Sequence, residues 1–280
     1  MTERVLLAGC GDLGLRVAQR LLVRGDEVWA LRRQPPTRAG DGIRWVRADL
    51  TRPESLGGLP RSFTRLVYLP TPDRRDAVAC QAIFVDGLRH LLAAVGGTAL
   101  QRVLLVSSSS VYGEHGGDWV DENTPVAPPG ANGAALLGAE RWLAAQPVRS
   151  VVLRLAGLYG PGRRQLFERL RAGTARVPRD TPHWCNRIHA DDAAAAIAWL
   201  LALADPEACY LGVDDTPLPL HALYDHLARL LGAPPPAVGP PPPGIGSKRL
   251  RNARLRASGF EPRWPDARTG YAALLASTPP

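Results

Sequence analysis

The sequence predicts an α/β fold, a doubly wound parallel sheet covered by helices on both faces, from three observations. Short β-rich runs alternate with amphipathic stretches through the first half of the chain. Those runs are almost continuously apolar, as strands buried on both faces must be. The first of them runs into Gly9-Cys10-Gly11-Asp12-Leu13-Gly14, where glycines are spaced for a strand that turns sharply into a helix.

Taken in order, strands are expected over Val5–Ala8, Val28–Leu31, Ile43–Ala48, Leu66–Leu69, Val103–Val106 and Val151–Leu155. Helical periodicity fills Leu13–Val23 and Val78–Val95 between them, and right-handed crossovers then wind the sheet in both directions. Beyond residue 160 the pattern loosens. Helices are expected over Gln165–Ala172, Asp191–Leu203 and Leu218–Leu231, followed by a proline-rich extended connector at 233–243. This divides the chain into a dinucleotide-binding domain at 1–160 and a smaller, substrate-facing C-terminal lobe at 161–280. A stretch at about 186–215 returns to the sheet.

The glycine turn carries the chemistry. Gly9 permits the tight turn, Gly11 lets backbone approach a pyrophosphate, and Gly14 allows helix and strand to pack closely. The helix N-terminus then presents unpaired N–H groups and a positive dipole to phosphate. Cys10, Asp12 and Leu13 complete the loop, which reads as a Rossmann-type site for a nicotinamide dinucleotide. An NAD site usually places an acid at the end of the second strand to bond the adenosine ribose. This chain has Arg32 and Arg33 there, and arginine can hold a 2′-phosphate with paired charge-assisted bonds. NADP is therefore expected, with NAD as the alternative. Asp49 and Leu50, ending the third strand, either meet the adenine edge or begin a helix.

Composition narrows the partners. The chain has 280 residues, 45% of them hydrophobic, enough for one large domain and a lobe. Its net charge of +8 comes almost wholly from dispersed arginines, Lys248 being the only lysine. No basic helix or aromatic platform accompanies them, so nucleic acid is not an expected partner. Cys10, Cys80, Cys185 and Cys209 form no Cys-x-x-Cys pair, which argues against a disulfide framework or a zinc site, so no metal is expected. No apolar run reads as long enough to span a membrane, and the first strand begins too early for a signal segment. A reduced, cytoplasmic setting is expected.

Further motifs add a resemblance. Ser107-Ser108-Ser109-Ser110-Val111-Tyr112-Gly113 follows the fifth strand; then come Asp121-Glu-Asn-Thr-Pro125, Leu153-Arg-Leu-Ala-Gly-Leu-Tyr-Gly-Pro-Gly162 and Asn186-Arg-Ile-His-Ala-Asp-Asp192. Ser247-Lys-Arg-Leu-Arg-Asn252 and Gly259-Phe260 close the series. In these the chain resembles the extended short-chain dehydrogenase/reductases, the NAD-dependent epimerase/dehydratases, over essentially its whole length. It departs at the glycine turn, where the first of the family's evenly spaced glycines falls on Ala8.

The resemblance implies hydride chemistry at a nicotinamide, with a serine after the fifth strand assisting a Tyr-x-x-x-Lys on the next helix. Ser108 matches the serine. Alignment through Gly133 and Glu140 puts Asn132 where the tyrosine stands and Leu136 where the lysine stands. Gly244 lies four residues before Lys248, so the chain contains no Tyr-x-x-x-Lys. The expectation is an NAD(P)-dependent oxidoreductase or epimerase-like enzyme with another acid/base, or else a non-catalytic NADP-binding sensor or scaffold. Tyr112 is the candidate substitute. Tyr159, Arg187 and His189 are the candidates to face a small-molecule substrate, Glu122 braces a loop, and a homodimer is possible.

Overall fold

The computed structural model describes residues 2–36 and 40–277. Its elements run β1 Arg4–Ala8, α1 Asp12–Val23, β2 Glu27–Arg32, β3 Arg44–Arg47, β4 Arg65–Tyr68, α2 Ala77–Val95 and β5 Arg102–Ser108. They continue as β6 Trp119–Val120, α3 Ala131–Ala144, β7 Arg149–Leu155, β8 Gly157–Tyr159, α4 Gln165–Arg171, β9 Arg176–Val177, β10 Trp184–Cys185 and β11 Arg187–His189. The last are α5 Ala190–Ala202, β12 Cys209–Gly212, β13 Leu218–Pro219, α6 Leu220–Leu230, β14 Ala237–Val238, β15 Arg249–Leu250, α7 Ala253–Ala257 and α8 Ala267–Ala276.

Seven strands form one parallel sheet in the order β12-β7-β5-β4-β1-β2-β3. The chain starts in the middle, winds outward through β2 and β3, then crosses back to β4 and winds the other way. Parallel registers such as Leu6↔Trp29, Leu6↔Leu66 and Leu66↔Val103 fix the central strands. Val5, Leu6, Leu7 and Ala8 have no solvent exposure, so the continuous apolar reading of β1 reflects cover on both faces. The reversal of direction falls between β1 and β4, the position where such sheets open at their carboxyl ends.

Two compact units make up the chain. One comprises Met1–Val111, Gly130–Arg154 and Ala194–Tyr210; the other comprises Tyr112–Pro129, Leu155–Ala193 and Leu211–Pro280. In the first, a buried ion pair ties α3 to the sheet. Arg154 on β7 donates to Glu140 on α3 at 2.7 Å through Nη2, and Ser107 on β5 donates to the same carboxylate at 2.5 Å. Arg102 on β5 caps the end of α5, donating to the carbonyls of Leu200, Leu201, Leu203 and Ala204. Those carbonyls carry the negative end of the helix dipole, so the guanidinium is well placed.

The segment Ala77–Val95 corrects one expectation: by length and composition it is apolar enough to cross a membrane. In the structure it buries Cys80, Phe84, Val85, Leu88, Leu91 and Val95. A π-turn interrupts it at Gln81–Asp86, and the Tyr68 hydroxyl donates to the Ile83 carbonyl within that turn. Another difference lies at the start of α6. Leu218 and Pro219 pair with β10, and the helix begins only at Leu220.

The second unit is held by small two-stranded pairings, β8 with β11, β10 with β13, β9 with β14 and β6 with β15. Its core gathers Tyr159, Phe167, Leu170, Val177, Leu223, Tyr224, Leu227 and Tyr271. Removing one member of a buried ion pair strands the other charge, at a cost of about 3–5 kcal/mol. Arg154→Met should therefore destabilise the protein by that amount in urea unfolding, and Arg154→Met with Glu140→Met should recover at least half of it.

Candidate functional site

The turn after β1 is built by close approach. Gly9 has φ +86°, and a Cβ there would lie 2.4 Å from Pro70 Cα, so only glycine fits. Its N–H and that of Cys10 donate to the Leu31 carbonyl at 3.2 and 3.3 Å, which ties the turn to the end of β2. At Gly14 a Cβ would meet the Cys10 sulfur at 3.0 Å and Leu69 at 3.5 Å, so α1 packs directly on the strand ends. Gly11 differs: a Cβ there would meet open space. Gly11 is also the N-cap of α1, and no side chain caps the helix. The first N–H groups of α1 are thus left to a ligand or to water.

These residues open onto a cleft of about 480 Å³ lined by Gly9, Gly11, Arg32, Arg33, Asp49 and Leu50, together with Pro70 and Ile83. The structure so brings together residues that the sequence reading drew from three strand ends. Asp12 lies on the first turn of α1 and pairs with Arg16 at 3.1 Å, Leu13 follows it, and Cys10 is buried beneath, its thiol pushed up to about 12 by burial.

The two arginines are not equivalent. Arg33 grips Asp73 with two bonds of 2.6 and 2.7 Å; Asp73 keeps it charged, and it holds the Asp73 carboxyl below the usual range. Arg32 is half-buried at the end of β2, where its carbonyl accepts from the Ala48 N–H at 3.1 Å, while its guanidinium makes no hydrogen bond or ion pair with the described residues. Asp73 gave no signal in the sequence, being forty positions from its partner. Burial raises the Asp49 carboxyl, but hydrogen bonds from Thr51 together with the charges of Arg33 and Arg52 outweigh that and leave it lowered. Asp49 accepts from the Thr51 N–H and hydroxyl at 2.9 and 2.8 Å, a turn ahead of the short helix at Pro53–Leu56.

At the end of β5, Ser108 accepts from the Ser110 N–H at 3.1 Å, which leaves its own proton to donate. Asn132 donates to the Ser110 hydroxyl at 3.2 Å, and Leu136 is buried in the packing of α3.

In the second unit, Tyr112 is wholly buried, and its hydroxyl donates to the Asp121 carbonyl at 2.8 Å. That phenol braces a loop in this structure rather than standing open to a substrate. Tyr159 is 1% exposed, stacks on Tyr271 with centroids 4.3 Å apart, and sets its hydroxyl against Gly270. Burial drives its ionisation far above the ordinary phenol range. His189 is buried too; Nδ1 accepts the Asp191 N–H at 3.1 Å at the start of α5. Glu122 accepts from the Leu211 N–H at 2.8 Å. Arg187 is partly exposed, with its Nε sealed from solvent. Nearby, the Asp214 N–H donates to the Arg187 carbonyl at 2.8 Å, and burial pushes the Asp214 carboxyl up to about 8. Asp214 carried no motif, so nothing in the sequence marked it.

Comparison with known proteins gives a consistent picture. The model described as "NAD dependent epimerase/dehydratase family" matches residues 5–211. A solved structure from Methylobacillus flagellatus that carries this family's name is 41% identical, with a TM-score of 0.83 and 99% of each chain covered. The 3-diazoavenalumate denitrifying reductase of a Streptomyces species is 31% identical, covering 95% of this chain and 98% of that protein. Protein YeeZ of Escherichia coli K12 is 30% identical over 94% of this chain and 97% of its own length.

Two outcomes follow from this geometry. Gly9→Ala should cost about 1–3 kcal/mol in backbone strain, whereas Gly11→Asp, facing open space, should stay within about 0.5 kcal/mol of the parent in chemical unfolding. Asp214 holds its proton more tightly folded than unfolded. Its contribution to stability is complete below the ordinary carboxylate range and falls as pH rises toward 8. Unfolding free energy measured from pH 4 to 8 should therefore decline less steeply in Asp214→Asn.

Proposed function

This chain belongs to the NAD-dependent epimerase/dehydratase family, and we propose that it is an NADP-preferring oxidoreductase acting on a small molecule without the family's tyrosine–lysine pair. The observation that carries this reading is Arg32, a guanidinium without a partner among the described residues, on a cleft lined by the glycine turn at an uncapped helix N-terminus.

The residues present fit such a cofactor. Space beside Gly11 and the α1 N–H groups suit a pyrophosphate, while Asp49 and Leu50 line the same cleft. A bound nicotinamide would supply or accept hydride. What the chain itself offers is a hydroxyl: Ser108, held by the Ser110 N–H, can donate to a substrate oxygen and polarise it. Asn132 can orient Ser110 but cannot exchange a proton. The proton of such a reaction then comes from water or from the substrate. The reductase named among the relatives supports hydride delivery as the chemistry.

A second reading, a non-catalytic NADP-binding sensor or scaffold, is favoured by one observation. The positions aligned with tyrosine and lysine hold an amide bonded to Ser110 and a buried leucine. Turnover of bound cofactor with any metabolite selects the first reading; binding without turnover selects the second. Interconversion of UDP-glucose and UDP-galactose should be negligible, well below the ordinary enzyme range of roughly 1–10³ per second.

Cofactor choice gives the quantitative test. A hydrogen bond to a charged partner contributes about 1.5–3 kcal/mol, and solvent and salt reduce that at a partly open site. A net of about 1.4 kcal/mol is tenfold in affinity. NADPH should bind at least roughly tenfold more tightly than NADH in calorimetric titration at low salt. The gap should narrow as salt rises, and Arg32→Asp should reverse the order. Asp73→Asn should widen it by releasing Arg33. Equal affinities in the parent protein would remove the NADP assignment.

A further inference from the structure

The guanidinium of Arg187 is charged, largely enclosed, and has no hydrogen-bond partner among the described residues. Strand β11 pairs with β8 in the register Arg187↔Gly157 and His189↔Tyr159. This sets the guanidinium over Gly157, where a Cβ would lie 2.5 Å from Nη1. Its Nε is buried without a partner, and no acceptor among the described residues takes a hydrogen bond from the Nη groups. A guanidinium cannot shed its proton at any ordinary pH, so it cannot escape the difficulty by becoming neutral.

The groups whose charge it feels are Cys185, Tyr271, Tyr224 and Asp214. Burial pushes the Cys185 thiol up to about 11 and the Tyr271 phenol up to about 12, so both are neutral under physiological conditions. Asp214 is the one carboxylate among them. Its Oδ2 is buried and unpartnered, and burial favours its protonated form. The cluster thus presents one fixed positive charge with no settled counter-ion. The Tyr224 and Tyr271 hydroxyls likewise make no hydrogen bond to a described residue.

We propose that Arg187 is the anion receptor of the second unit, and that the group it receives is a carboxylate on the substrate. The planar fork of a guanidinium matches the two oxygens of a carboxylate, and phenolic hydroxyls can add donors beside it. A phosphate dianion is a poorer match, because one guanidinium cannot neutralise two charges beside a carboxyl group. The partial exposure of Arg187 leaves its Nη side within reach while Nε stays sealed. The assignment deepens the small-molecule reading above by naming the substrate's chemical class. Its test uses no nicotinamide, so either can fail without the other.

The full-length protein is titrated with benzoate, with benzamide as its neutral counterpart, and with inorganic phosphate, followed by thermal unfolding and by ¹⁵N NMR of the arginine Nε–H signals. Benzoate should raise the midpoint and shift a single Nε–H resonance. Benzamide should do neither, and phosphate should bind more weakly than benzoate. Arg187→Met, which keeps the packing stem, should weaken benzoate by at least roughly tenfold, with Arg187→Lys in between. Undiminished benzoate binding in Arg187→Met, tighter binding of phosphate than benzoate, or equal responses to benzoate and benzamide would overturn the proposal. Should Arg187→Met not fold, the parent protein alone decides: no shifted Nε–H signal at saturating benzoate would also overturn it.

Discussion

A parallel sheet covered on both faces has no free surface except at its ends. In this chain β1 lies in the middle of the order, with β4 and β2 beside it, and its residues Val5–Ala8 have no contact with water. Whatever the first unit binds must meet backbone at the carboxyl edge, where ladder bonding stops and N–H groups become available. Gly9, pressed against Pro70, makes the turn there possible, and Gly11 leaves the space that the turn creates empty of side chain. The cleft follows from those two positions; its selectivity follows from what the neighbouring strand ends carry into it.

What they carry is arginine, and the arginines of this protein differ in whether anything answers them. Arg154 has Glu140, Arg33 has Asp73, and Arg102 has four helix carbonyls. Each of these is explained by what it holds together. Arg32 and Arg187 are answered by nothing in the described structure. A net charge of +8 says little by itself, since dispersed guanidiniums on a surface are ordinary solvated groups. Arg32 and Arg187 stand out from the exposed arginines because they are also partly enclosed, where an unpaired charge is costly.

The sequence made the central sheet legible because burial on both faces leaves an unbroken apolar run, as in Val103–Leu105 or Val151–Leu153. The glycine turn was legible because its constraint is local, three glycines within six residues. The rest depended on partners far apart in the chain. Glu140 reads as one more helix acid until Ser107 and Arg154 close on it. Tyr112 sits in a motif that suggests chemistry, yet its hydroxyl is taken by the Asp121 carbonyl nine residues on. The imidazole of His189 receives the N–H of Asp191. Ala77–Val95 reads as a helix from its letters, but its membrane-length apolarity does not, because Asp86, Arg89 and His90 break the run of apolar letters while the helix as a whole stays apolar.

The π-turn in α2 has a consequence for how the chain can change over generations. Each residue added to a helix rotates everything after it by about 100°, so the widened turn at Gln81–Asp86 re-phases the second half of α2 against the first. Cys80 on one side of it faces Asn132, while Leu88, Leu91 and Val95 on the other line the interior. Loss of one residue in this stretch would close the helix into regular winding and swing those three aliphatic side chains out of register with their seats. Indels, tolerated freely in surface loops, are therefore penalised here. The chain length within Gln81–Asp86 is fixed as firmly as the identity of any buried side chain.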